Sequence, residues 1–368
     1  MKRNVFVLRF ILLLLLLILL SSLSFSRSKK SITIVDLAGR KVEIDLPVKR
    51  VVAIGPGALR IVSYVDQFNR IVGVENIEKR YTVGRTYNMA FFDIIEKLPI
   101  IGQGGPDTLP DPEKLISVNP DVIFVIQLLD KSGADKLYER TKIPVVVLNY
   151  GTLGTFDEDL FKSLEIIGKV LNKEARASAI IAYIKNVRNS FALKTRYIQD
   201  KTKPSVYVGA LGFKGARGIE STQGYFPIFT PLYIKNVADS LGKKGSVFIE
   251  KEMLLVWNPD IIFVDLGNLN LVKDDFKKNP NFYKALKAYR NRSIYGIYPY
   301  NNYHTNVDTA ILDMFWVAKV VYPDKFKDLD IENKAQEIYT FFFGERGKKI
   351  YPEFVKAYGN LKEVNLEE

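Results

Sequence analysis

Short β-branched apolar runs alternate with stretches of 3.6-residue periodicity along most of the chain, the pattern of parallel strands linked by crossover helices. Runs at residues 50–54, 71–74, 121–126 and 144–148 predict strands of a first sheet. Runs at 205–210, 261–265 and 293–297 predict strands of a second. Residues 32–36 and 41–45, joined by Leu37-Ala38-Gly39-Arg40, predict a hairpin ahead of the first sheet. Helices are expected at 59–68, 156–171, 174–198, 308–321, 331–343 and 351–361. The helix at 174–198 places Ala179, Ile180, Tyr183, Ile184 and Val187 near one face. At ~37 Å it is long enough to run from one sheet to the other. A linker made of helix resists bending, so little relative motion of the two halves is expected.

An internal repeat strengthens this division. Glu113-Lys-Leu-Ile-Ser-Val-Asn119-Pro120-Asp121-Val-Ile-Phe-Val125 returns as Glu252-Met-Leu-Leu-Val-Trp-Asn258-Pro259-Asp260-Ile-Ile-Phe-Val264, 139 residues later. Each copy reads as a short helix opened by Glu, a stop at Asn-Pro-Asp and a buried strand. The expected fold is therefore α/β: two Rossmann-like lobes, each a mainly parallel sheet flanked by helices, joined by a long rigid α-helix. The expected divisions are a signal peptide at 1–26, an N-terminal lobe at 27–171, an inter-lobe helix at 172–203 and a C-terminal lobe at 204–368.

The signal peptide is read from Lys2, Arg3 and Arg9 ahead of an 11-residue apolar stretch at 10–20, with small Ser24 and Ser26 following. The stretch is shorter than the ~20 residues a spanning helix needs. Export to the periplasm or another extracytoplasmic space is expected. The 368 residues carry 53 Lys and Arg against 41 Asp and Glu, and lack cysteine. That excludes disulfides, thiolate metal sites and a lipid-modified N-terminal cysteine. One histidine argues against zinc hydrolase and Ser-His chemistry. No phosphate-binding loop and no dinucleotide fingerprint occurs. The basic residues are scattered among acids, which argues against a nucleic-acid partner. No enzymatic activity, resident cofactor or directly bound metal is expected.

The order of motifs is similar to that of the periplasmic substrate-binding proteins of ABC importers for ferric siderophores, haem and vitamin B12. It is carried by Ile32-Thr-Ile-Val-Asp36-Leu-Ala-Gly39-Arg40, Val48-Lys-Arg-Val-Val-Ala-Ile-Gly-Pro56, Ile71-Val-Gly-Val74, the paired Glu-x6-Pro-Asp units and the helical crossover. Within that family the chain resembles the iron-complex binders through Gly84-Arg85-Thr86-Tyr87-Asn88, Gly215-Ala-Arg217-Gly218 and Tyr298-Pro-Tyr300-Asn301. The resemblance implies a monomer that captures a small-molecule metal chelate in an inter-lobe cleft, a ferric siderophore or similar iron complex first, and delivers it to a membrane permease dimer with its ATPase. A corrinoid, haem or a chelate sensor in the same fold is the alternative. Arg60 replaces an acidic residue of the vitamin B12 binder, which weakens the corrinoid reading. In this family one Glu of each lobe docks into permease arginines, and Glu113 and Glu252 match those positions.

The residues suggest where the cleft lies. Gly55, Pro56, Gly57 and Arg60 follow a strand and open a helix, a place for an amide nest. Arg85, Tyr87 and Asn88 stand in a polar segment expected to line the cleft wall. Arg85, Lys214 and Arg217 suit carboxylate, catecholate or propionate groups. Tyr298, Tyr300, Tyr303, Asn301 and Asn302 form an aromatic, amide-rich loop after the last predicted strand. His304 in that loop is a candidate axial ligand for haem iron or cobalt.

Overall fold

The computed structural model describes residues 30–367 except 106, 107, 109, 110, 152–155, 157 and 214. The expected signal peptide lies outside the described residues. Among these, no helix is long and apolar enough to cross a membrane.

The hairpin forms as the alternation at its two runs demands. Strands β1 (Lys30–Val35) and β2 (Lys41–Leu46) pair antiparallel, with Ile32 opposite Ile44. Buried Asp36 accepts from the Arg40 Nε–H at 3.0 Å and from the Val147 N–H at 3.1 Å. One carboxylate thus closes the hairpin turn and fastens it to the first sheet.

That sheet is parallel, in the order β4 (Ile71–Gly73), β3 (Val51–Ile54), β5 (Val122–Ile126), β6 (Val145–Leu148). Its helices are α1 (Ala58–Asp66), α2 (Thr86–Ile95), α3 (Pro112–Ser117) and α4 (Lys131–Thr141). Helices α5 (Glu158–Leu171) and α6 (Glu174–Thr195) lead to the second half. Six strands follow: β7 (Ser205–Gly209), β8 (Ser221–Gly224), β9 (Lys235–Asn236), β10 (Gly245–Phe248), β11 (Ile261–Asp265) and β12 (Ile294–Ile297). The second sheet is parallel in the order β12, β11, β7, β9, while β8 and β10 form a separate antiparallel pair. The β8 run Ser-Thr-Gln-Gly has no apolar signal, which is why this pair escapes a pattern reading. Helices α7 (Lys251–Trp257), α8 (Leu269–Lys278), α9 (Val307–Val321), α10 (Ile331–Phe343) and α11 (Ile350–Tyr358) are the principal helices of this half, with two short helical segments, Pro280–Ala285 and Lys287–Arg290, ahead of β12.

The repeat has a physical basis. Each helix of the pair ends on an asparagine in the left-handed region, Asn119 at φ 42° and Asn258 at φ 41°. The aspartate two residues on then anchors the head of the neighbouring strand. Asp121 accepts the Lys49 and Arg50 N–H groups at 2.7 and 2.9 Å, and Asp260 accepts the Ser205 N–H at 2.7 Å.

Strand alternation divides the apolar side chains between layers. Val51, Ala53, Phe124 and Val146 face a large central core, whereas Val52, Ile123, Val125 and Val145 face a smaller one with Leu115 and Leu137. In the second sheet Val206, Val208 and Phe263 join the same central core, and Tyr207, Ile262 and Val264 face outward onto Val272 and Phe276 of α8. The central core is thus continuous between the sheets. It passes through Ile180, Ile184 and Phe191 of α6 and Ala310, Ile311 and Met314 of α9. With 22 residues, α6 is ~33 Å long, slightly shorter than the spacing predicts.

Arg176 near the start of α6 reinforces this join. Its Nε–H donates to the Tyr64 carbonyl of α1 at 3.0 Å, and one terminal nitrogen donates to the Phe341 and Phe342 carbonyls of α10 at 2.6 and 3.2 Å. Hydrogen bonds from a charged donor contribute about 1.5–3 kcal/mol net. Arg176→Ala is expected to lower stability by about 2–3 kcal/mol in urea denaturation, with part of the loss restored in Arg176→Lys. A change below about 0.5 kcal/mol would remove this tie from the account of inter-sheet rigidity.

Candidate ligand-binding site

The carboxyl ends of the first sheet's strands and the loop after the last strand of the second sheet meet at one place. Gly55 follows β3, Glu75 follows β4 after one residue, Gln127 follows β5 and Tyr150 follows β6 after one. From the other side comes the loop after β12, residues 298–306. The loop is closed by its own bonds, Asn302 N–H to the His304 carbonyl at 3.1 Å and Asn306 N–H to the Tyr300 carbonyl at 2.7 Å. Tyr303 and His304 both have positive φ, at 52° and 74°, uncommon for residues with a side chain.

Tyr303 reaches deep into the first half. Its hydroxyl donates to the Glu75 carboxylate at 3.0 Å and accepts from the Gly105 N–H at 3.0 Å. Its ring lies 5.3 Å from the Arg85 guanidinium, and its carbonyl accepts from Arg60 at 3.2 Å. Arg60 also donates to the Asn302 carbonyl at 2.6 Å. It is wholly buried beside the Tyr87 ring, and its Nε–H has no partner. His304 stacks on Tyr150 with ring centroids 4.0 Å apart. Its Nδ1 accepts the Thr305 N–H at 2.8 Å, which leaves the ring proton on Nε2; the Gln127 side-chain amide, 2.9 Å from that nitrogen, then presents its oxygen as the acceptor.

The Gly55–Gly57 turn needs both glycines. Each has positive φ, and a Cβ at Gly55 would meet the Ile126 carbonyl at 2.2 Å. A Cβ at Gly57 would meet Tyr150 and His304 below 3.0 Å. Pro56 between them is buried. The turn does present an amide inward, but the Gly55 N–H is taken by Glu75, at 3.0 Å.

Arg85, Tyr87 and Asn88 stand differently from the expected polar cleft wall. The segment is the cap and first turn of α2, and all three are buried around one unforeseen residue, Glu78. The Glu78 carboxylate pairs with Arg85 at 3.1 Å and accepts from the Tyr87 hydroxyl at 2.6 Å, while its carbonyl accepts from Asn88 at 2.7 Å. Only Arg85 also faces the loop, and its Nε–H is unpartnered. Tyr298 and Tyr300 also turn away from the junction, because apolar surface and hydrogen bonds are available behind the sheet. The Tyr298 ring packs on Phe354 and its hydroxyl donates to the Gly359 carbonyl; the Tyr300 hydroxyl donates to Gln223 beside Phe226. Asn301 is exposed, 3.4 Å from the Gly212 carbonyl. Arg217 is half-buried in its own loop, against Phe248 and the Phe213 carbonyl. Lys214 lies outside the described residues. Both ring nitrogens of His304 are engaged, so the arrangement offers no free lone pair to a metal.

Sequence reasoning missed Glu75, Glu78 and Tyr150. Glu75 and Tyr150 were findable, since each closely follows a predicted parallel strand. Glu78 carried no such signal, because its role depends on α2 folding back over it.

Burial governs how the groups around this loop titrate. Burial, together with the Arg60 charge, pushes His304 down to about 3, so the ring is neutral. Burial pushes Tyr150 up to about 12, with Arg60 acting against it, so the phenol keeps its proton. Burial raises Glu75 to about 7, opposed by the Gly55 N–H and the Tyr303 hydroxyl. Two buried guanidinium groups, phenols and a backbone turn are an oxyanion-recognising set.

Residues 51–300 match the periplasmic binding protein family. A curated relative, the molybdate-binding protein MolA of Haemophilus influenzae, is 24% identical, covering 88% of this chain and 93% of its own length. The Fe(3+)-citrate-binding protein YfmC of Bacillus subtilis is 26% identical, covering 73% of this chain and 79% of its own. Among solved structures, the TroA-like periplasmic binding protein FepB of Veillonella parvula superposes with a TM-score of 0.63 at 25% identity, covering 85% of this chain and 96% of that one. With two parallel sheets, a helical crossover and strand ends converging on one junction, the chain belongs to the periplasmic binding protein family of ABC transporter components.

Proposed function

We propose that this protein captures a compact oxyanionic ligand, either a metal oxyanion or a small carboxylate chelate of iron, and delivers it to an ABC permease. The observation that carries the reading is the pair of buried arginines, Arg60 and Arg85, each with an unpartnered Nε–H and each held against the 298–306 loop. A ligand oxygen that takes the place of the Asn302 and Tyr303 carbonyls would keep the Arg60 charge satisfied. The relatives named for molybdate and ferric citrate support small anions of this kind. The close packing of His304 on Tyr150 disfavours a large planar ligand such as haem or a corrinoid, as does the inward turn of Tyr298 and Tyr300.

Delivery is assigned to Glu113 and Glu252. Both are exposed, on the first turns of α3 and α7, at matching points of the repeat. A helix start by itself favours an acidic residue. The paired positions on two lobes, with the family's docking geometry, favour a role at the permease.

A thermal-shift series with molybdate, ferric citrate, a ferric hydroxamate, a ferric catecholate, haem and cobalamin tests the cargo. Molybdate or ferric citrate at 100 times Kd is expected to stabilise the protein by ~2.7 kcal/mol, whereas haem and cobalamin have no effect. A shift with haem or cobalamin alone would overturn the compact-anion reading. Replacing Arg60 removes charged donors worth about 1.5–3 kcal/mol, so Arg60→Gln should weaken the responding ligand by roughly ten- to a hundredfold in calorimetry. Unchanged affinity would take Arg60 out of the site.

Charge reversal at both glutamates, Glu113→Lys with Glu252→Lys, should abolish ligand uptake by cells and leave binding by the purified protein as it was. Uptake at the wild-type rate would refute the docking role.

A further inference from the structure

Glu75 occupies ground that a ligand anion would need. Its carboxylate sits on the Gly55 N–H, at the turn that opens the nine-residue helix α1, and accepts from Tyr303 at the same oxygen. Arg60 and Arg85, both more than nine-tenths buried and both with an unpartnered Nε–H, stand around the same tyrosine. An anion entering this shell meets two cations and two carboxylates, of which Glu78 is already paired with Arg85 and Glu75 has no cation of its own within hydrogen-bond distance among the described residues. Two anions sharing one set of donors repel unless a proton lies between them.

The neighbours of Glu75 leave it as the group to carry that proton. Glu78, on the turn that follows it, is committed to Arg85 and Tyr87. Arg60 on α1 and Arg85 at the head of α2 remain cationic. His304 and Tyr303 from the loop after β12, and Tyr150 after β6, are neutral, because burial lowers the first and raises the other two. Asp308 on α9 is held by Tyr64 and Thr86, away from Glu75. Burial already brings Glu75 near neutrality without a ligand.

We infer that the site takes up one proton with each anion it binds, and that Glu75 carries this proton and donates it as a hydrogen bond to a ligand oxygen. The inference rests on the anion reading above. The proton comes from solvent and stays on the Glu75 carboxyl oxygen; no bond of the ligand forms or breaks. Glu75 thereby selects ligands that present an acceptor oxygen beside the arginines. The sign follows from linkage: while Glu75 is already protonated, binding is independent of pH, and once it is ionised each bound anion must first draw a proton from a scarcer supply. Affinity therefore falls as pH rises past neutrality.

The test is isothermal titration of the whole mature protein with sodium molybdate, which remains a dianion over the range used, and with ferric citrate. At about pH 8, two buffers of different ionisation enthalpy report the protons taken up. Wild type should take up close to one proton per molybdate and lose about tenfold in affinity per pH unit above neutrality. Glu75→Gln should bind with no uptake and a flat profile. For ferric citrate, uptake by wild type should exceed that by Glu75→Gln by about one proton. Molybdate binding without proton uptake, or the same uptake in the variant, overturns the inference. If the variant fails to fold, the wild-type proton count decides alone. Absence of heat with both probes overturns the anion reading itself, an outcome distinct from binding without protons.

Discussion

One uninterrupted apolar core joins the two sheets, and the geometry of the site depends on it. A pair of lobes with separate cores can swing about a linker. Here the inward faces of β3, β5, β7 and β11 are buried in the same cluster, with α6 and α9 between them. Opening such a structure exposes apolar surface at about 25 cal/mol per Å², so wide opening is costly while small adjustments of loops are not. The long helix is therefore one part of a packed wall, and Arg176 fastens that wall at three carbonyls.

Against this frame the 298–306 loop is the segment that bridges the two halves. It crosses from the second sheet to the first and satisfies buried cations with its own carbonyls. Asn306 and Asp308 at the start of α9 hold its far end, through the Gly84 carbonyl and through Thr86 and Tyr64. Tyr303 and His304 have positive φ in succession, a backbone conformation unfavourable in isolation for residues with a side chain. Such a loop supplies polar groups to a closed site without leaving arginines unpaired, since an uncompensated buried charge is strongly destabilising.

The two halves solve their local problems alike. In each, a short helix ends at a left-handed asparagine and an aspartate clamps the head of the next strand over. This places Glu113 and Glu252 equivalently on the surface of the two halves. The symmetry stops at the candidate site. The first half contributes Arg60, Arg85 and Glu75, and the second contributes a tyrosine, a histidine and backbone carbonyls.

The fold class was legible in the amino-acid sequence, because hydrophobic periodicity is a local property that survives any tertiary arrangement. The hairpin, the strands before and after the crossover, the long helix and the repeat all followed from spacing. The positions of Arg60 and the Gly55–Gly57 turn at a strand end followed as well. The β8–β10 pair did not, since its strands pair through backbone with little apolar content. Direction was what the sequence could not assign. Arg85, Tyr87 and Asn88 look alike as polar residues in a row, yet Glu78 draws all three inward and only Arg85 also reaches the loop. Tyr298, Tyr300 and Tyr303 are spaced as one aromatic cluster, yet two serve the core and one crosses to the opposite half. Sequence determined which residue types stand at the strand ends. Tertiary structure alone decided which of them meet, because buried polar groups must find partners, and those partners lie far away along the chain, 243 residues in the case of Arg60 and Tyr303.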